Sequence, residues 1–489
     1  MSLSDPASSA PYPAETRLFI GGSWRPAAAG ERLPVHNPAD DAEIGRVAHA
    51  RAADLEAAVE AAAAGFAVWR VASPPERAGV LDRTAALLAE RAEAIGRLIT
   101  LEQGKPLPEA IGEAAFAAEI LRWFAGEARR VYGRTIPARG GAAIAQSTVK
   151  EPIGVVAAFT PWNFPVHQAV LKLAAAVAAG CSIVLKGPEE TPASVAALVE
   201  AFADAGLPAG VINLVFGTPA EISAYLIPHP TVRKLSFTGS TAVGRQLAAL
   251  AGQHLKRSTL ELGGHAPVIV FDDVDPVLVG ARLAGAKFYN AGQTCASPTR
   301  FLVQRGIYNR LTEAFVAAAK GVVVGNGVDA GVGMGPLAHP RRIAALEGFV
   351  ADAVAKGARL ALGGSRIGNA GSFFEPTVLL DVPIEARAFN EEPFGPIALF
   401  RPFDTAEEAI AEANRLEAGL AAYVYSGSIA RATAAEAAIE AGMISVNHHG
   451  LALPELPFGG VKASGWGSEA GADAVGAYLV EKLVTRAGL

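Results

Sequence analysis

The chain has 489 residues, 51% of them hydrophobic and 18% charged, and its 42 Lys+Arg against 48 Asp+Glu give a net charge of −6. Such a composition fills large cores and excludes a disordered chain, and with no basic surplus there is no general electrostatic reason to bind nucleic acid. Two cysteines cannot form a disulfide framework and suit a reducing compartment, so a multi-domain, cytoplasmic α/β enzyme is expected.

Residues 1–15 are small, polar and proline-punctuated, which reads as a frayed tail and not a signal peptide. The most apolar stretch, 166–185, carries His167, Gln168 and Lys172 and is broken by Gly180, so a buried helix followed by a strand is expected there in place of a membrane span. Residues 52–131 read as alanine-rich helices with an apolar stripe. Residues 133–150 switch to a Gly/Pro-bounded stretch ending in β-formers, which predicts a hairpin or small sheet.

From Gly154 the pattern alternates: strand 154–160, helix 166–179, strand 182–186, a helix from Pro192 to about Gly206 with Thr191 as its N-cap, strand 211–217, helix 219–228 and strand 234–238. A second series follows Glu261, with a strand at 266–271, a helix over 276–289 and a strand at 301–304. Helices at 309–319, 340–356, 405–415 and 428–440 then alternate with strands to Val446, and 474–486 reads as a final strand. The glycine cluster Gly331-Val-Gly-Met-Gly335 reads as a loop. Alternation at this spacing predicts right-handed βαβ units and doubly wound parallel sheets. Extra strands at 133–150 and near the C-terminus suit pairing with another subunit's sheet edge.

Three residues carry candidate chemistry. Cys295 lies in a small, polar stretch, Asn290-Ala-Gly-Gln-Thr-Cys295, unlike Cys181 among its aliphatics; a loop cysteine is either inert or a nucleophile. Glu261, between two leucines and before paired glycines, is either an exposed strand-end carboxylate or a desolvated general base. Asn163, in the stiff turn Pro161-Trp-Asn-Phe-Pro165, is either a turn former or an oxyanion donor. Adjacent His448 and His449 point apart on a strand, which favours a non-metal role; no metal site is expected.

Taken together, the sequence resembles the aldehyde dehydrogenase superfamily, in its non-acylating, semialdehyde-dehydrogenase-like branch. The resemblance is carried in order by Pro161-Trp-Asn-Phe-Pro165, Lys186-Gly-Pro-Glu-Glu-Thr-Pro192, Phe237-Thr-Gly-Ser240, Glu261-Leu-Gly-Gly264, Gly292-Gln-Thr-Cys295, Glu391-Glu-Pro-Phe-Gly-Pro396 and Pro457-Phe-Gly-Gly460. It implies two doubly wound, Rossmann-like domains and a small β oligomerisation domain: residues 1–132 and 151–262 binding NAD, 263–466 catalytic, and 133–150 with 467–489 pairing subunits into a homodimer or homotetramer. It implies Cys295 as nucleophile, Glu261 as general base and Asn163 as oxyanion donor. Trp162, Lys186, Glu189, Gly239, Ser240, Gly244, Glu392 and Phe394 would hold NAD, with NADP as the alternative.

Phe164, His167, Gln168, Leu171, Tyr289, Thr294, Ala296, Ala452 and Phe458 would line the aldehyde tunnel. Leu171 and Tyr289 stand where succinate-semialdehyde enzymes usually place arginines, which points to a neutral, medium-sized, aromatic aldehyde. His265, Gly187 and Ser468 also depart from residues frequent in the family, the last where the subunit contact is expected. The alternatives are a succinate-semialdehyde-type enzyme, an acylating relative that passes the thioester to coenzyme A (disfavoured by Glu261), a non-catalytic binding homologue and a cysteine hydrolase.

Overall fold

The computed structural model describes residues 12–139 and 144–487. Most of the expected N-terminal tail lies outside these residues, but Glu15 does not belong to a tail: Glu15–Thr16 is a strand paired in parallel with Glu43–Ala48. That segment forms a three-stranded sheet with Arg32–His36. Four helices follow where the alanine-rich pattern predicts them: Ala52–Trp69, Pro74–Glu90, Ala92–Gln103 and Leu107–Ala128.

The first large sheet has five parallel strands in the order Arg257–Glu261, Val232–Thr238, Val155–Phe159, Ser182–Lys186, Ile212–Val215. Val155–Phe159 is buried along its whole length, as a strand covered on both faces must be. The chain enters at this central strand, moves outward one way through Ser182–Lys186 and Ile212–Val215, then restarts on the other side with Val232–Thr238. Strand order therefore reverses between Val155–Phe159 and Val232–Thr238, and the crevice beyond their carboxyl ends is the ligand position such sheets favour. Short antiparallel strands, Leu18–Ile20 with Ser23–Arg25 and Gly465–Trp466, close the two edges.

The second large sheet runs Arg359–Leu362, Thr377–Leu380, Ile397–Phe403, Pro298–Gln304, Ala266–Val270, Ala421–Tyr425, Met443–Val446, parallel except at its first edge strand. The segment 133–150 does contribute a hairpin: Arg134–Ile136 pairs with Ile144–Pro152, which pairs in turn with Leu479–Ala487. The final strand starts later than the alternating pattern predicts, because Ala474–Tyr478 closes into a 3₁₀ turn with three of its five residues buried. Thr191 occupies the N-cap position before Pro192–Asp204 without capping through its side chain; the buried Glu102 carboxylate accepts the Ala193 and Ser194 N–H groups at 2.6 and 3.1 Å instead. A long-range carboxylate at a helix N-terminus serves better than a local hydroxyl because it meets two orphan donors and the positive end of the dipole. Among the described residues no helix is long and apolar enough to cross a membrane.

Candidate active site

Asn163 sits in the turn between the central strand Val155–Phe159 and the helix Pro165–Ala179, where Pro165 supplies the pre-set first helical residue. It is buried, and its side-chain Nδ2 donates to the Gln293 carbonyl at 3.0 Å. Its own carbonyl accepts from Lys105 Nζ and from Asn290 Nδ2, each at 2.9 Å. One amide hydrogen of Asn163 is thus committed to Gln293, leaving the second for another acceptor.

Cys295 stands at the amino edge of the second sheet, three residues before Pro298–Gln304, and is partly accessible. The turn leading to it is left-handed at Asn290 (φ 47°) and Ala291 (φ 52°), a conformation that non-glycine residues keep only where the surroundings hold them. Asn290 is held: its N–H meets Glu109 Oε2 at 3.0 Å and its Oδ1 accepts from Gln103 Nε2 at 2.9 Å. Burial, then the neighbouring Glu261 charge, push the Cys295 thiol well above its ordinary range, which favours the thiol over the thiolate.

Glu261 closes the strand Arg257–Glu261 and is 1% exposed, so the strand-end residue is buried and not solvated. Neither carboxylate oxygen finds hydrogen-bond geometry with a partner among the described residues. Burial raises its pKa strongly and the Glu469 charge adds to this, while the adjacent Cys295 thiol and the Lys172 ammonium pull it back. Lys172 and Glu469 form a fully buried ion pair beneath it, with Lys172 Nζ also on Thr238 Oγ1 at 2.8 Å. The paired glycines after Glu261 make the seam: a Cβ on Gly264 would lie 2.3 Å from the Cys295 carbonyl oxygen, and one on Gly263 would lie 2.7 Å from Glu392 Oε2.

Of the residues expected to hold a dinucleotide, Trp162, Lys186, Glu189, Gly239 and Ser240 lie at or just beyond the carboxyl ends of first-sheet strands, whereas Glu392 and Phe394 lie in the loop before Ile397–Phe403 of the second sheet. Lys186 Nζ pairs with Glu189 Oε2 at 2.6 Å, and Glu189 Oε1 accepts the Gly217 N–H. Ser240 caps the helix Thr241–Gln253 through Val243 N–H. Gly244 faces Leu262, 2.3 Å from a would-be Cβ, so its missing side chain serves helix-to-strand packing. Glu392 Oε1 accepts the Gly264 N–H at 3.1 Å, and burial raises its carboxyl to about 7. Trp162 and Phe394 meet edge to face, centroids 5.7 Å apart.

Of the expected tunnel residues, His167, Leu171, Ala452 and Phe458 share one apolar cavity with Phe116, Ile120 and Leu453. Phe164 stacks on Tyr289 at 6.0 Å and meets His167 edge on, while His167 stacks on Phe116 at 5.7 Å. Desolvation of the half-buried His167 lowers its pKa, which favours the neutral ring. Gln168, Thr294 and Ala296 do not line this cavity; Gln168 Oε1 and Thr294 Oγ1 are buried without partners, and the Ala296 carbonyl accepts from Tyr423. His449 packs against Tyr423 and Tyr425, whereas His448 is exposed. Lys105, Glu113, Lys172 and Glu469 are polar residues of the site that sequence reasoning missed.

A partly accessible thiol, a desolvated carboxylate and a held amide meet between two parallel sheets, the set of groups that covalent catalysis on a carbonyl requires. The chain belongs to the aldehyde dehydrogenase family, whose model matches residues 24–484, and is an enzyme that oxidises aldehydes. It is 49% identical over 467 residues to a putative 4-(hydroxymethyl)benzenesulfonate dehydrogenase of Comamonas testosteroni, covering 96% of this chain and 97% of that one. It is 43% identical to the NADP-dependent succinate-semialdehyde dehydrogenase of Escherichia coli strain K12, covering 95% and 96%. The crystal structure of an aldehyde dehydrogenase from Brucella melitensis biovar abortus superimposes with a TM-score of 0.95 at 42% identity, covering 98% and 99%.

Proposed function

We propose that this enzyme oxidises a neutral, medium-sized aromatic aldehyde to the free carboxylic acid, using NAD in preference to NADP. The observation that carries the reading is the pair of Cys295, partly accessible, and Glu261, buried beside it with both oxygens unpartnered. A bound dinucleotide would supply the hydride acceptor. Two carboxylates on the groove, Glu189 and Glu392, each keep bonds to backbone N–H groups and suit ribose hydroxyls. Lys186 would assist Glu189, Gly239 and Ser240 would face the pyrophosphate, and Trp162 and Phe394 would flank the redox ring. Glu189 accepts from a 2′-hydroxyl and repels a 2′-phosphate, which favours NAD.

In this reading the Cys295 thiol, partly accessible, releases its proton to solvent and the resulting thiolate attacks the aldehyde carbon. The free hydrogen of Asn163 Nδ2 and the Cys295 backbone N–H receive the negative oxygen. Loss of hydride leaves a thioester on Cys295. Glu261 then takes a proton from water, and the hydroxide so formed releases the acid. Phe164, Tyr289, His167 and Phe116 form the aromatic wall, and Leu171 and Tyr289 leave the usual anion clamp empty. The relative named for a benzenesulfonate supports an aromatic ring but one that bears an anion; the one named for succinate semialdehyde, also an anion, favours the second reading.

Absorbance of reduced dinucleotide across aliphatic, aromatic and dicarboxylic-semialdehyde substrates tests the assignment. Faster turnover of succinate semialdehyde than of benzaldehyde would reverse it, and acid formation dependent on coenzyme A would make the enzyme acylating. We also read 133–150 and 467–489 as subunit-pairing segments, since exposed Ile136, Ile144, Val149 and Leu483 lie on their shared sheet. Light scattering at a monomer mass would remove that reading.

A further inference from the structure

Residues 103–113 belong to neither large sheet, yet they touch both catalytic turns. Lys105 and Glu113 form an ion pair at 2.6 Å with side chains 0% and 1% exposed. Burying such a pair costs several kcal/mol per ion before their attraction repays it, so it is weak evidence for stability and invites a geometric explanation. Every donor of the ammonium is placed: one toward Glu113 Oε2, one to the Asn163 carbonyl at 2.9 Å, and one toward the face of Phe164, 3.8 Å from the ring centroid. Glu113 Oε1 meanwhile accepts the Val166 and His167 N–H groups at 3.0 and 3.1 Å, fixing the first turn of the helix after Asn163. On the other side, Gln103 and Glu109 hold Asn290 in its left-handed conformation ahead of Cys295, and Gln103 Oε1 takes the Lys105 N–H at 2.9 Å.

We infer that Lys105, with Glu113, is a positioning residue that sets the Asn163 amide against Cys295 and so fixes the distance across which the oxyanion forms. This rests on the reading of Asn163 and Cys295 given above. Lys105 touches no substrate; it acts through a backbone carbonyl whose own side chain does the donating. Misplacement by about 1 Å can cost on the order of 100-fold in rate, so the loss should appear in the chemical steps alone.

The test uses the full chain with Lys105→Met, Asn163→Ala and the double variant, measuring aldehyde oxidation, hydrolysis of p-nitrophenyl acetate without dinucleotide, NAD binding by fluorescence and Cys295 alkylation by iodoacetamide. Lys105→Met should lower kcat for oxidation and for ester hydrolysis together, by roughly 100-fold. NAD affinity and alkylation rate should stay within about threefold, and the double variant should be no slower than Asn163→Ala, as expected of two residues acting as one unit. Unchanged ester hydrolysis, or losses that multiply in the double variant, would overturn the assignment. Should Lys105→Met not fold, Glu113→Gln carries the same comparison with an expected loss of about tenfold. Wild-type rates in Asn163→Ala itself would remove the underlying oxyanion reading, a result distinct from normal rates in Lys105→Met alone.

Discussion

Glu113 and Glu261 are both buried carboxylates, 4% and 1% exposed. Glu113 is fully engaged by an ammonium and two backbone N–H groups; Glu261 has no hydrogen-bond partner among the described residues. A buried acceptor left alone costs about 1–3 kcal/mol, more when charged, and folds keep such groups where chemistry needs them. Under the proposed roles one carboxylate holds the frame and the other is kept for water, so hydrogen-bond partners, not exposure, separate scaffold from reagent.

The sharpest test of the reactive side is Cys295→Ala, which should abolish turnover, a fall of about 10⁴-fold or more, read as reduced-dinucleotide absorbance. Glu261→Gln should cut steady-state turnover by roughly 10²–10⁴-fold while a burst of about one equivalent of reduced dinucleotide survives; wild-type turnover would dismiss the base assignment. The same variant tests the electrostatics. Because burial raises the Glu261 pKa in the folded chain, the protonated form is favoured on folding. Its stabilising contribution is full below the ordinary carboxylate range and is lost as pH rises through the raised value. Thermal unfolding of Glu261→Gln should therefore lose less stability than wild type between acid and neutral pH, and wild-type activity should fall as pH drops below the raised value.

Asn163→Ala should cost about 10²–10³-fold in kcat with little change in dinucleotide affinity, measured by stopped-flow burst rate. Glu189→Gln should raise the NADP-to-NAD ratio of kcat/KM by about tenfold, roughly the 1.4 kcal/mol of removing one modest charge repulsion. The smallest effect expected is a several-fold gain in kcat/KM for succinate semialdehyde in Tyr289→Arg, since Tyr289 is 41% exposed and a rim cation there contributes little more than an exposed ion pair.

Much of this was legible because local chemistry announces itself. Proline-stiffened Pro161-Trp-Asn-Phe-Pro165, the paired glycines after Glu261 and the polar run before Cys295 are departures from regular strand and helix patterns, and the structure places each at a strand end: after Val155–Phe159, after Arg257–Glu261 and before Pro298–Gln304. Strands of two or three residues, such as Glu15–Thr16, Ser23–Arg25 and Gly465–Trp466, are too short to show a period of two. Lys105 and Glu113 escaped notice for another reason: within the alanine-rich helical region they look like two surface charges, and only the contact with Asn163, 58 residues away from Lys105 in sequence, reveals their use. Thr191 illustrates the converse, a strong local capping signal displaced by a carboxylate 91 residues distant from the N–H it binds.

Cys295 lies ahead of a strand, at no helix N-terminus, so no macrodipole assists its ionisation, and burial beside Glu261 holds the proton on. A thiol kept in that form reacts slowly with peroxide and electrophiles, since both consume the thiolate. Reactivity at this sulfur is thereby left to the cationic group or substrate that approaches it.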